Sequence, residues 1–236
     1  YILMMEKGYY FMNNTILSMF YRLFSSVGTT VCILLTTLVA LVGHELAHGW
    51  VSGKLGDPTP KMQGRMTLNP LAHLDLVGTL LMVLTGFGWA KPVQVNPMYY
   101  KDRKKGMALV ALAGPLANLI MAFAGFIIGV LLAKIVSGIS YPVASFIMQI
   151  TALFTIRNLQ FMVFNLIPLP PLDGAKVLGV FLPDRTYYTM LQYEQYCIII
   201  LMVLSLLGVF GNIIGTGVSV FYGAIAKIAF RILGIG

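Results

Sequence analysis

His44 and His48 are four residues apart. On an α-helix that spacing puts both imidazoles on one face, where they can share a metal ion. Glu45 lies about 100° around such a helix from His44, beside the metal, where a carboxylate can take a proton from bound water. The chemistry this allows is hydrolysis by an activated water. In a soluble chain the pattern is only moderately specific, because two surface histidines beside a glutamate account for it about as readily. Here it sits near the end of an apolar run, Val27–Val51, that is long enough to cross a bilayer. Ionisable side chains at such depth are costly and usually functional. The motif therefore reads as a water-using metal site placed in lipid.

Two histidines do not complete a catalytic zinc site, which commonly has three protein ligands and an open position. Asp173, in Leu172-Asp173-Gly174, follows three prolines, Pro168, Pro170 and Pro171. They break the preceding helix and could turn the carboxylate back towards the interior. The alternative is that Asp173 caps the next short helix. His73, in Asn69-Pro70-Leu71-Ala72-His73-Leu74-Asp75, is the other candidate, as an additional ligand, a group behind a ligand, or a polar anchor.

The elements that must position these residues follow from composition. The chain is 58% hydrophobic and 10% charged, against about 25% charged in an ordinary soluble domain. This excludes a large soluble core. No stretch outside the spans is long enough for a second globular domain, so residues 1–236 are expected to form one membrane domain, with a core at 27–182 and C-terminal helices at 195–233. No stretch has the pattern of a removable signal peptide. The chain opens on Tyr1, which makes Met4 or Met5 a candidate natural start. Cys32 and Cys197 lie in apolar runs, where no disulfide is expected. The net charge of +8 sits mostly in loops, which points to membrane orientation and lipid contact rather than nucleic acid.

Along the chain, residues 8–24 suggest an interfacial helix. Val27–Val51, Met107–Ala133, Val143–Ile167, Tyr196–Phe210 and Ile213–Ala229 read as spans, with Gly211-Asn212 as the turn between the last two. Leu76–Ala90 is too short for the roughly 20 helical residues a crossing needs. As a re-entrant segment it would leave the basic loops 53–75 and 91–105 on one side, in agreement with the positive-inside rule. The pieces Lys61–Leu68 and Pro92–Val95 have strand-like character. The expected fold is an all-α polytopic membrane protein of about five transmembrane helices, a re-entrant segment and short membrane-surface β-strands. With Ser52 at the cytosolic end of its helix, the histidine motif lies roughly 6–12 Å below that end, and the site should open to the cytosol.

Three motifs occur in order on successive spans: His44-Glu45-x-x-His48, Gly114-Pro115-Leu116-Ala117-Asn118, and Asn165-Leu166-Ile167-Pro168-Leu169-Pro170-Pro171-Leu172-Asp173-Gly174. Together they resemble the site-2 protease family of intramembrane zinc metalloproteases, over residues 27–182. The stretches GRMTLNPLAHLDLVGTLL and GWAKPVQVNP are similar to its compact bacterial and archaeal branch, without the inserted PDZ or appended nucleotide-sensing domain of some relatives. The resemblance implies one Zn2+ held by His44, His48 and Asp173, with Glu45 as general base. It matches Asn165 to an asparagine near the reacting centre and Asn118 to one on the neighbouring core helix, which makes both candidate catalytic residues. It implies a multi-pass protein of a prokaryotic cell membrane whose partners are the lipid bilayer and a membrane-protein substrate with a transmembrane segment.

The expected chemistry agrees. Zinc lowers the pKa of bound water, and Glu45 removes its proton and returns it to the leaving amine. An asparagine amide can stabilise the oxyanion without adding charge. Asn158 and Asn165, seven apart, share a helix face and are candidates to hold substrate backbone and oxyanion; interhelical hydrogen bonding is the structural alternative. Arg157, in mid-span, is expected to be paired or to line a cavity. A substrate helix must be extended before it is cut, and the strand-like pieces could offer an edge for this. The rival classes are a membrane metal carrier, which should show further ligands along a path, and a zinc-binding scaffold without proteolysis.

Overall fold

The computed structural model describes residues 16–78 and 90–234. Helix α1 (Ile16–Lys54) carries the histidine motif. A helical turn α2 (Thr59–Met62) follows. Helices α3 (Arg103–Ser137) and α4 (Tyr141–Asn165) form an antiparallel pair joined by a short turn. Short helix α5 (Asp173–Leu178) leads through a 3-10 turn at Gly179–Phe181 to α6 (Asp184–Gln192), α7 (Glu194–Leu206) and α8 (Val209–Leu233).

Local chemistry sets several boundaries. Asp102 caps α3 by accepting the Lys105 N–H at 3.1 Å, one of the donors a helix start leaves unsatisfied. Asn69 and Asn96, each before a proline, accept the N–H two residues on, from Leu71 and Met98, and start 3-10 turns in the manner of Asx turns. Asp57, before Pro58, does the same for the Thr59 N–H at 2.9 Å.

Ala122, Phe126 and Val130 of α3, Leu159 and Met162 of α4, and Ile225 and Ala229 of α8 form the main core. Gly125 and Gly129 let α3 lie against Phe154 and Thr151 of α4, where a Cβ would overlap those side chains. The outer faces remain apolar: Val27, Val31, Leu35 and Val39 of α1 and Leu109, Leu116 and Ile120 of α3 are exposed. Among the described residues, α1 from Val27, α3, α4 and α8 are long and apolar enough to cross a membrane. The protein is a helical membrane protein.

Several expectations are corrected. Helix α7 has 13 residues, short of the roughly 20 that a crossing needs, so four described helices qualify rather than five. The break before α8 is at Gly208, whose φ of 73° favours glycine, and not at Gly211-Asn212, which continue as helix. Residues 16–24 of the expected interfacial helix are the N-terminal part of α1; residues 1–15 lie outside the described residues. The expected strands are absent among the described residues. Thr59–Met62 is helical, and Gly64, with φ 66°, turns the chain so that Arg65 N–H meets the Pro60 carbonyl. In the 91–96 stretch, the Val93 and Asn96 amides donate to side chains rather than to a neighbouring strand. The expected re-entrant segment falls largely on residues 79–89, outside the described residues. The chain next to it is tied together: Leu74 and Ala90 form an isolated antiparallel bridge, and Lys91 N–H donates to the His73 carbonyl at 2.9 Å.

Candidate metal centre

One face of α1 carries Ala40, His44 and His48, spaced a turn apart, and one stripe of α3 carries Val110, Gly114 and Asn118 at the same spacing. The stripes meet in antiparallel order. His48 Nδ1 lies 2.7 Å from the Val110 carbonyl, and His44 Nδ1 lies 2.6 Å from Asn118 Oδ1. Between them Gly114 faces both rings. A Cβ there would stand 2.5 Å from His44 Cε1 and 2.6 Å from His48 Cε1, so only glycine lets the helices approach this closely.

These contacts assign the ring nitrogens. Asn118 Nδ2 donates to the Ala40 carbonyl at 3.0 Å and to Asn158 Oδ1 at 2.9 Å. With both its N–H groups engaged, Asn118 offers His44 an acceptor, and the proton of that contact sits on His44 Nδ1. A carbonyl such as Val110's can only accept, so His48 Nδ1 also carries a proton. In the neutral rings both Nε2 atoms keep their lone pairs.

Both Nε2 atoms lie 3.1 Å from Asp173 Oδ2. Asp173 reaches this point because Gly174 packs directly on the Leu166 and Ile167 carbonyls at the end of α4, where a Cβ would collide. The other carboxylate oxygen faces Lys176 Nζ at 3.4 Å. Helix α5 has no side-chain cap, so the capping alternative for Asp173 is not what the structure shows.

His44, His48 and Asp173 are buried and offer three ligand atoms within 4.8 Å of one another. With the Nδ1 protons engaged elsewhere, the converging Nε2 lone pairs and the carboxylate oxygen are all acceptors, a set that a bound cation would satisfy. Donors about 2.0–2.1 Å from a tetrahedral zinc would lie about 3.3 Å apart, close to the observed spacing. The donor set fits a zinc ion.

Glu45 is buried beside them, and its Oε2 accepts the Val93 N–H at 2.7 Å. Asn158 is fully buried and donates to the Phe154 carbonyl at 2.9 Å. Asn118 and Asn158 thus form a hydrogen-bonded chain behind His44. Asn165 Nδ2 donates to the Phe161 carbonyl at 3.0 Å, which leaves its second N–H. Arg157 pairs with Gln160 at 2.8 Å. His73 is fully buried, but its Nε2 contacts the Thr67 carbonyl at 2.9 Å and it does not join the ligand group. Its loop holds it there through backbone bonds to Pro70 and Lys91. The Val110 carbonyl and the Val93 amide are backbone groups, so no residue type in the sequence could have marked them.

A His-Glu-x-x-His helix completed by a distant aspartate, inside a bundle of apolar helices, defines a class: the helical membrane zinc metalloproteases. Comparison with known proteins makes this specific. The chain is 41% identical over 172 residues to the Bacillus subtilis protein named "Putative zinc metalloprotease YwhC", covering 73% of this chain and 78% of that one. It is 29% identical over 189 residues to "Putative zinc metalloprotease Rip2" of Mycolicibacterium smegmatis, covering 78% of this chain and 70% of the relative. It is 28% identical over 162 residues to "Putative zinc metalloprotease MJ0611" of Methanocaldococcus jannaschii, covering 66% and 75%. The chain belongs to the site-2 protease family of zinc metalloproteases, in its compact form, and zinc is the implied metal. No family model matches the chain. No solved structure matches it.

Proposed function

We propose that the protein is an intramembrane zinc endopeptidase that cuts transmembrane substrates near the cytosolic side of a prokaryotic cell membrane. One observation carries this reading: the buried Glu45 shares an apolar helix with His44 and His48, whose Nε2 atoms converge on Asp173. His48 is six residues and His44 ten residues from the helix end at Lys54, which puts the ligands about 9–15 Å along the axis from that end. Lys54, Lys101, Arg103, Lys104 and Lys105 cluster at the ends of α1 and α3 on that side. The positive-inside rule makes this side cytosolic.

In this mechanism His44, His48 and Asp173 hold the ion. Zinc, when bound, supplies a Lewis acid that lowers the pKa of water and polarises the scissile carbonyl. Glu45 accepts a proton from the attacking water and passes it to the leaving amine. Asn118 and the Val110 carbonyl keep the two rings in the ligating tautomer. Asn165 contributes its remaining N–H to the developing oxyanion. In this reading an extended substrate runs beside the 91–96 segment, whose Val93 amide meets Glu45.

The alternatives, a metal carrier or a non-proteolytic zinc scaffold, are less well supported. A carrier needs successive ligands along a path, and among the described residues one metal-type cluster is present. The test uses purified, zinc-loaded protein in liposomes with a single-span substrate. Cleavage should depend on zinc. Glu45→Gln should keep the metal and fold while losing about 10²–10⁴-fold in rate. Undiminished cleavage by that variant would overturn the reading.

A further inference from the structure

Glu45 is held by a backbone amide, and an amide cannot be placed independently of its segment. The Val93 N–H that meets Glu45 Oε2 at 2.7 Å belongs to a stretch without secondary structure, residues 91–96. Its anchors therefore set the orientation of the carboxylate. Lys91 N–H donates to the His73 carbonyl at 2.9 Å. The Val93 side chain is buried where Gly49 of α1 has none; a Cβ on Gly49 would come within 3.2 Å of Val93 Cγ1. At the far end Asn96 N–H donates to Asp57 Oδ2 at 2.7 Å.

Asp57 is an unusual anchor. It is 2% exposed, and burying a carboxylate is costly unless its oxygens are met. The donors that meet it are neutral: Ser52 Oγ–H at 2.7 Å, Thr59 N–H at 2.9 Å and Asn96 N–H at 2.7 Å. Ser52 gives its only proton to Asp57, so the 2.7 Å contact between Ser52 Oγ and Tyr100 Oη has the tyrosine as donor. Starting a turn at Thr59 would need only Asn or Ser. Accepting on both oxygens from two different directions needs an acceptor-only group. Glu45 and Ser52 are seven residues apart on α1 and share a face. That face therefore carries Glu45 at one end of the 93–96 stretch and, at the other, Ser52, which donates to Asp57.

We propose that Asp57 is a positioning residue for Glu45: by fixing Asn96 it holds the 91–96 segment so that the Val93 amide orients the carboxylate. This deepens the endopeptidase reading and rests on it. The experiment uses the full zinc-loaded chain in liposomes and two changes, Asp57→Asn and replacement of the Val93 amide by an ester, which removes one N–H and leaves the side chain. Each should leave zinc stoichiometry and helix content unchanged and lower kcat between about 10- and 100-fold, with KM nearly constant. Asp57→Asn should accelerate hydrogen exchange at Val93. The double change should cost little more than the ester alone, because both act through one contact. Wild-type exchange at Val93 in Asp57→Asn, a kcat within twofold of wild type, or losses that multiply would each overturn the proposal. If Asp57→Asn does not fold, an ester at Asn96 removes the same link while keeping Asp57, with the same expected and overturning results. Failure of the wild type to cleave any span would instead sink the endopeptidase reading, and exchange at Val93 would still report whether Asp57 holds the segment.

Discussion

Oδ1 of Asn118 lies 2.6 Å from Nδ1 of His44, and the amide nitrogen of the same asparagine bridges the Ala40 carbonyl and Asn158 Oδ1. This contact orients a candidate metal ligand and selects its tautomer. Asn118→Ala should weaken zinc binding about 10- to 100-fold, the usual effect of losing a partner behind a ligating histidine. Asn118→Asp, which keeps an acceptor at Oδ1, should lose less. Competition with a zinc chelator measures both.

Asp173 Oδ2 is shared by both histidines at 3.1 Å. Asp173→Ala removes one of three donors and leaves two buried imidazole lone pairs without a partner. Purified Asp173→Ala protein should contain well under one zinc per chain and show no cleavage. Stripping the wild-type metal with a chelator should likewise abolish cleavage, and added zinc should restore it in the wild type only. Metal analysis with the cleavage assay checks this.

Gly174 sits against the Leu166 and Ile167 carbonyls with no room for a Cβ. Gly174→Ala should push α5 away from the end of α4 and carry Asp173 with it. The expected cost is about 1–3 kcal/mol of stability, the usual range for overpacking, and lower zinc occupancy. Gly53→Ala, at a position with open space around the Cβ, is the control. Thermal unfolding and zinc content distinguish the two.

Asp57 has its carboxyl held below the usual range: burial pushes it up, but donors from Thr59, Asn96 and Ser52 outweigh that effect. A depressed folded-state pKa stabilises the fold above the unfolded value of about 3.9. That contribution is lost as pH falls through the folded value. Wild type should therefore exceed Asp57→Asn by about 1–3 kcal/mol at neutral pH, the scale of unmet buried hydrogen bonds. The gap should begin to narrow below about pH 4 and close as pH falls through the lower folded value. Unfolding of both proteins between pH 7 and 3 tests the sign.

The helix carrying His44, Glu45 and His48 was legible from the sequence because apolar runs and a four-residue spacing are local properties, and α1, α3 and α4 lie where those runs predict. The expected strands failed for a non-local reason. Residues 91–96 have strand-like composition, but their amides meet Glu45 and Asp57, partners 48 and 39 residues away in sequence. The last span boundary was misplaced because Gly208 and Gly211 are equally plausible breakers in sequence, and only Gly208 takes a positive φ.

By itself the sequence determined which groups are available: two histidines suited to a metal and a glutamate suited to a base on one apolar helix, a carboxylate after a proline break, and asparagines in neighbouring spans. Residue type and periodicity carry that information. The tertiary structure decided which groups meet. It brings Asp173 to both Nε2 atoms, places Asn118 and Asn158 behind His44, and keeps His73 out of the ligand group. The physical reason is that a ligand set closes at about 3 Å. That closeness depends on where Gly114 and Gly174 let whole segments approach, and no single segment encodes it.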